Sequence, residues 1–411
     1  MATKDNENKS NANPQIKPTE LKKKIDSGED IFIIDVRNPE EHESWKVSYD
    51  KYLDTPVIPI DALSSPETLK QIPKDKQVVT FCGHGNRSMS AAKMLSEKGF
   101  DARSIEGGLD GWNTVYDVAS INDVNSSVKI WQIRRVSKGC MSYLIASPPE
   151  KKAVIIDPTC EIDNNAISAI INKNDLRITG VIDTHMHADH LSGATRVAKR
   201  YGGKVYVSSL EPYEIKNRHD HDLNVKLIEE GDKIPIGEQI FLGAIHTPGH
   251  TNGSLCLKLQ VNDVTATTDN GHESVKNNNT HINLFTGDTL FVDGIGRPDL
   301  HNKAKEFTHN LYNSYQHKIL HLPEKTLILP AHYGGAFEHS KPILSTIKSS
   351  KDSMSLLSAP ENKFVRYVTT SIPPQPTNYE KILSINKLMT PCDEVEQKDI
   401  EAGPNSCGIR A

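Results

Sequence analysis

The sequence predicts two α/β domains in series. Three observations carry this: short all-apolar runs that end on a polar residue, helix-spaced segments between them, and a polar break at Ile121–Ser127 (INDVNSS) that parts two such patterns. A chain of 411 residues can supply two ordinary cores. The formal net charge is −5 with acids and bases interspersed, so no basic surface points to nucleic acid. No run approaches the roughly 20 consecutive apolar residues that a membrane span needs, so no membrane partner is expected.

Residues 1–17 are polar, rich in Asn and Lys, and lack an apolar stretch. They are expected to be a disordered tail and not a secretory signal, in keeping with a cytoplasmic protein. Residues 18–120 form the first domain. Ile31–Ile34, ending at Asp35, and Val78–Phe81, ending at Cys82, are apolar throughout, as strands of a parallel sheet covered by helices on both faces must be. Ser88–Lys98 carries Ala91, Met94 and Leu95 at helical spacing and stops at Gly99. After the 121–127 linker, a second domain is expected over 128–340. Its strand candidates are 129–133, 142–146, 153–156, 180–182, 204–207, 240–245 and 254–259, with amphipathic helices at 162–172 and 191–201. The polar run Asn262–His281 reads as a protruding loop. Beyond Pro342 regular patterning is lost, so 341–411 is expected as an extension draped over the second domain, extended around Pro373–Pro376. Six scattered cysteines (82, 140, 160, 256, 392, 407) show no paired framework and are expected to be reduced thiols.

Cys82 stands apart from the other five. It ends a buried strand just before a helix, and Gly83-His84-Gly85-Asn86-Arg87 between them can fold into a cup of inward N–H groups. Such a cup favours an anion, here a thiolate or a persulfide terminus, and Arg87 adds fixed positive charge. Cysteine-dependent phosphatases use a longer C-x5-R loop, whereas four residues separate Cys82 from Arg87. His84 reads as a loop surface residue. The stretches IIDVRNPEE (33–41), CGHGNRS (82–88) and EGGLDGW (106–112) together resemble a single-domain rhodanese, which implies sulfur transfer through a Cys82 persulfide.

A second constellation follows in the second domain. Thr184-His185-Met186-His187-Ala188-Asp189-His190 lies between an apolar strand and an amphipathic helix, and His250, Asp288 and His332 each follow an apolar run. Imidazole and carboxylate donors gathered at strand ends are a metal-ligand pattern. These segments resemble the metallo-β-lactamase superfamily, which implies an αββα sandwich. It also implies one metal position served by His185, His187 and His250 and a second by Asp189, His190 and His332, with Asp288 able to reach either. Within it, GDTLF (287–291), the DGIGRPDL stretch (293–300) and the fused rhodanese resemble the persulfide dioxygenases. That resemblance implies one Fe(II) per chain on His185, His250 and Asp288, with His187, Asp189, His190 and His332 around it. Arg297 and Tyr333 would meet the substrate, although Tyr333 directly follows His332, a departure from the family's spacing. It further implies a small thiol persulfide such as glutathione persulfide and O2 as substrates, and a homodimer. The alternative is a dinuclear zinc or iron hydroxyacylglutathione (thioester) hydrolase of glyoxalase II type. A non-enzymatic sulfur carrier would need only a closed four-ligand site, fewer donors than are present.

Overall fold

The computed structural model describes residues 13–411 apart from 50–51, 53, 122–126, 165, 218–221, 263–281, 301–302, 337, 376–377, 396–399 and 402–406. The expected loop at 262–281 therefore lies almost wholly outside the described residues. The chain divides into two units, the first essentially up to Val115 and the second from Tyr116 onward, with short exchanges at 135–138 and 335–339.

The first unit is built on a four-stranded parallel sheet in the order Gln15–Ile16, Ala102–Ile105, Gln77–Phe81, Ile31–Asp35. On one face Ile34, Val78 and Ala102 pack with Ala91 and Leu95 of the helix Asn86–Glu97. The alternate residues Ile33, Val79 and Phe81 are buried on the opposite face, as the two-residue pleat requires. Gln15–Ile16 corrects the expected tail. Ile16 is fully buried and Ser104 N donates to Pro14 O at 2.8 Å, so one apolar residue among polar neighbours suffices to add an edge strand.

In the second unit a seven-stranded sheet runs in the order Val225–Ile228, Lys204–Ser208, Arg177–Ile182, Lys152–Ile156, Met141–Ser147, Lys129–Arg135, Tyr116–Ile121 among the described residues. A six-stranded sheet runs Lys233–Pro235, Ile240–His246, Leu255–Val261, Asn283–Gly287, Leu327–Pro330, Ser345–Thr346. Strand parity builds the layers. Met141, Tyr143 and Ile145 of the first sheet meet Leu255, Leu257 and Leu259 of the second in one core. Leu144 and Ala146 face outward onto the helices Ala166–Asn174 and Ala194–Tyr201. Cys256 and Leu284 face outward onto Ala304–Ser314 and Glu361–Thr370. The result is an αββα sandwich.

Three expectations need correction here. The first domain was expected to run to residue 120, yet Tyr116–Ile121 is a strand of the second unit's sheet, its Tyr116 and Val118 packed on that unit's core. The cysteines are not all thiols: Cys160 and Cys392 form a disulfide across 232 residues of sequence. The stretch after Pro342 is not irregular, because Ile347–Ser353, Glu361–Thr370 and Tyr379–Lys387 are helices. Their apolar faces are narrow (Phe364 and Val368 on one, Ile382 on another) and are diluted by Ser, Thr, Lys and Asn, which conceals the period. Among the described residues no helix is long and apolar enough to cross a membrane.

Candidate functional site

The metal-ligand candidates each follow directly from a strand. Arg177–Ile182 leads to His185, Ile240–His246 to His250, Asn283–Gly287 to Asp288, and Leu327–Pro330 to His332. Gly287 makes one of these turns feasible: its φ is +50°, and a Cβ there would lie 2.5 Å from Thr184 Oγ1.

Two clusters result. In the first, His185 Nε2 and His250 Nε2 lie 3.6 and 3.5 Å from Asp288 Oδ2. The outer ring nitrogens are already committed. His250 Nδ1 donates to the Arg297 carbonyl at 2.8 Å. His185 Nδ1 lies 3.0 Å from Thr184 Oγ1, whose proton goes to Asp157 at 2.8 Å. Fixing the outer nitrogen as donor leaves the Nε2 lone pair aimed inward. Asp288 is likewise divided: Oδ1 accepts from His332 Nδ1 at 2.6 Å, and Oδ2 makes no hydrogen bond.

In the second cluster, Asp189 Oδ2 is 3.0 Å from His332 Nε2 and Asp189 Oδ1 is 3.0 Å from His190 Nδ1. Cys140 Sγ stands 3.7 Å from Asp189 Oδ2 and 3.9 Å from His190 Nδ1. His187 turns its Nε2 to Asp157 Oδ1 at 3.2 Å, and its ring lies between the clusters, with its centroid 4.3 Å from that of His185 and 4.2 Å from that of His190.

Every one of these side chains is buried. Yet His185 Nε2, His187 Nδ1, His190 Nε2, His250 Nε2, His332 Nε2 and Asp288 Oδ2 all lack a hydrogen-bond partner. Each such orphan costs about 1–3 kcal/mol, so six in one place demand a shared partner. A metal cation is the group that nitrogen and carboxylate lone pairs fit together. Electrostatics agree for the first cluster. Burial, and then neighbouring His187, hold His185 well below the usual histidine range, and burial lowers His250, so both rings are neutral donors. Burial works against the Asp288 anion, but His332, then His185 and His250, hold it below the usual carboxylate range. Burial also opposes ionisation of Cys140, but His190 and His332 beside it outweigh this and pull the thiol to about 6.

Arg297 and Tyr333 are placed differently from expectation. The Arg297 guanidinium is fully buried and donates to Asp299 at 2.7 and 2.9 Å and to the carbonyls of Pro373 and Pro374 at 2.7 and 2.9 Å. A buried cation must be paired, and these partners turn it into a structural pin; what it gives the site is the carbonyl that orients His250. Tyr333 packs its ring against the core between the sheets.

Sequence reasoning missed Asp157, Cys140, Asn386 and Glu401. Asp157 ends an apolar run, Ala153–Ile156, the same signal that marked Asp35, and could have been found. Asn386 donates to the carbonyls of His187 and His190 at 2.9 and 3.0 Å and accepts from Ser192 N, while Glu401 accepts from Leu191 N at 2.6 Å. Both hold the backbone of the metal loop from about 200 residues away, and no local pattern announces them.

In the first unit, Cys82 Sγ is buried at the base of its loop and accepts from Gly85 N at 3.2 Å and Ser88 N at 3.5 Å. Gly108 closes the loop from beneath: its φ is +60°, and a Cβ there would lie 2.3 Å from the Cys82 carbonyl. Leu109 N and Asp110 N donate to the carbonyls of Cys82 and Gly83 at 2.8 and 3.1 Å, so the EGGLDGW stretch serves as a brace. Arg87 lies in the first turn of the helix, which opens at Asn86 and not at Ser88, and forks onto Glu41 at 3.0 and 2.6 Å. Hydrogen bonding to Arg87 holds Glu41 at about 2. His84 is exposed, with Nδ1 2.5 Å from Asp110 Oδ2.

A buried His/Asp centre at the strand ends of an αββα sandwich defines a metal-dependent hydrolase or oxidoreductase. Residues 137–276 match the metallo-beta-lactamase superfamily and residues 17–114 the rhodanese-like domain. The chain belongs to the metallo-beta-lactamase superfamily and carries a rhodanese-like domain ahead of the metal domain. An uncharacterized protein of Mycobacterium bovis is 31% identical over 210 residues, covering 47% of this chain and 85% of the relative. The mitochondrial persulfide dioxygenase ETHE1 of Bos taurus is 31% identical over 196 residues, covering 47% of this chain and 65% of the relative. A hydroxyacylglutathione hydrolase of Polaromonas sp. is 30% identical over 191 residues, covering 46% and 61%. Among solved structures, a metallo-beta-lactamase from Staphylococcus aureus is 26% identical, covers 66% of this chain and 72% of its own, and superposes with a TM-score of 0.50.

Proposed function

We propose that this protein is a persulfide dioxygenase that works at a single ferrous ion on His185, His250 and Asp288 and is coupled to sulfur transfer through Cys82. The net reaction takes a thiol persulfide such as glutathione persulfide, O2 and water to the thiol, sulfite and two protons. A ferrous ion on a facial set of two His and one carboxylate supplies open coordination positions for O2 and a sulfur ligand. The division of Asp288 supports this reading over a two-metal hydrolase. Its Oδ1 is engaged by His332 Nδ1, which leaves the unpartnered Oδ2, facing His185 and His250, as the oxygen that would join those two rings in holding one metal. The chain's own residues hold this set ready: Arg297 O fixes the His250 tautomer, and Thr184, held by Asp157, fixes that of His185. The similarity to bovine ETHE1 and the fused rhodanese-like domain favour a persulfide substrate.

The test is iron content on anaerobically purified protein together with oxygen uptake on adding glutathione persulfide. One iron per chain and prompt uptake are expected. No uptake, with cleavage of a glutathione thioester, would overturn the proposal in favour of the hydrolase that the Polaromonas relative brings to mind. Cys82→Ser is expected to abolish sulfur transfer while oxygen uptake with added persulfide persists; unchanged transfer would remove Cys82 from the scheme.

A further inference from the structure

We infer that Glu211 is a positioning residue of the metal centre, a strut whose one carboxylate oxygen ties the turn that carries His185 to the turn that carries His250. The chain after the strand Lys204–Ser208 is inside out. Leu210 is 46% exposed, whereas Glu211 beside it is 6% exposed. A carboxylate is carried inward only where it is paired or hydrogen-bonded, so its partners reveal its role.

Those partners belong to the two ligand-bearing turns. Met186 N, between His185 and His187, donates to Glu211 Oε1 at 3.4 Å. Thr251, directly after His250, donates its hydroxyl to the same oxygen. Thr251 is itself held by Ser254, whose Oγ accepts from Thr251 N at 3.1 Å and lies 2.7 Å from Thr251 Oγ1. Asn252 Nδ2 donates to the Leu210 carbonyl at 3.2 Å. Gly253 passes so close that a Cβ there would lie 2.6 Å from Glu211 Cγ.

Such a strut has work to do because His185 and His250 follow strands of different sheets. Their ring centroids lie 4.9 Å apart, a spacing that only ties between the layers can fix. One tie is main-chain: Leu255 N donates to the Thr184 carbonyl at 2.9 Å. Alone it would leave the turn free to swing about Thr184. The bond from Met186 to Glu211 holds the other side of His185, and the bond from Thr251 carries that restraint across to His250. This inference rests on the reading that His185, His250 and Asp288 share one ion, and not on the reaction which that ion performs.

Cobalt(II) binding to metal-free, full-length protein tests it. Chelator competition gives the affinity, and the visible d–d bands report the ligand geometry. In Glu211→Ala the affinity is expected to fall about 10–100-fold, as for other groups that orient metal ligands, and the bands to shift. Glu211→Gln keeps the accepting oxygen, and Oε2 makes no hydrogen bond that the amide nitrogen would lose. It is expected to match the wild type in both readouts, a rescue that separates hydrogen bonding from charge. Thr251→Val removes the hydroxyl arm and is expected to weaken binding and shift the bands in the same direction. Unchanged affinity and bands in Glu211→Ala, or a Glu211→Gln as weak as Glu211→Ala, overturns the inference. If Glu211→Ala does not fold, Thr251→Val decides, and wild-type binding and bands there overturn it. Oxygen uptake takes no part in this test, so the dioxygenase reading and the role of Glu211 fail or stand separately.

Discussion

Asp157 shows how one side chain can govern a site it does not enter. It receives the backbone N–H of Thr184 at 2.7 Å and the hydroxyl at 2.8 Å, and it meets His187 Nε2 at 3.2 Å. Removing it frees the ring of His185 and the turn that carries it, with no ligand deleted. Such orienting partners are worth about 10–100-fold in metal affinity. Asp157→Ala is therefore expected to weaken metal binding by about that factor with one iron still bound at saturation, as read by chelator competition; an unchanged affinity would show the turn to be self-supporting. At this scale the sequence was a good guide to which His and Asp side chains the fold gathers, because a His or Asp at the end of an apolar run is conspicuous. For Arg297 the family resemblance implied a substrate contact, whereas in this structure the buried guanidinium is paired with Asp299.

At the scale of elements, legibility followed burial. Strands covered on both faces are apolar throughout and could be read, as at Ile31–Asp35 and Gln77–Phe81. The three helices of the last 70 residues could not, since each buries only one or two apolar side chains and their partners lie far away in sequence. The disulfide was invisible for the same reason: 232 residues separate two cysteines whose environments look unrelated until the chain folds. Closing so long a loop restricts the unfolded chain, by about 2–5 kcal/mol in typical cases. Cys392→Ser is expected to lower the stability of the metal-bearing unit by that order in chemical denaturation. A midpoint equal to that of the wild type under non-reducing conditions would show that the bond contributes nothing.

Across the whole molecule the two units have separate cores, one around Ile34, Val78 and Leu95, the others spread through the sandwich. Separate cores predict separate melting. Calorimetry should resolve two transitions, and chelation should move only the one that belongs to the sandwich. The size of the shift follows mass action, about 4 kcal/mol for a metal present at 1,000 times its Kd. A single transition, or a metal effect on both, would show that the units unfold as one. Two units were foreseen from the sequence, but the cut was set too late. The strand Tyr116–Ile121 is contiguous with the first unit in sequence and hydrogen-bonded into the second in space, and only pairing can settle such a case.

The Cys160–Cys392 bond has a topological consequence. It closes a covalent ring of backbone, and His185, His187, Asp189, His190, His250, Asp288 and His332 all lie inside it. A single cut by a protease anywhere between those two cysteines opens the ring but cannot release a fragment. The nicked protein would migrate as one species until a reductant is added and only then fall into two pieces, with the ligands of each metal cluster divided according to where the cut fell.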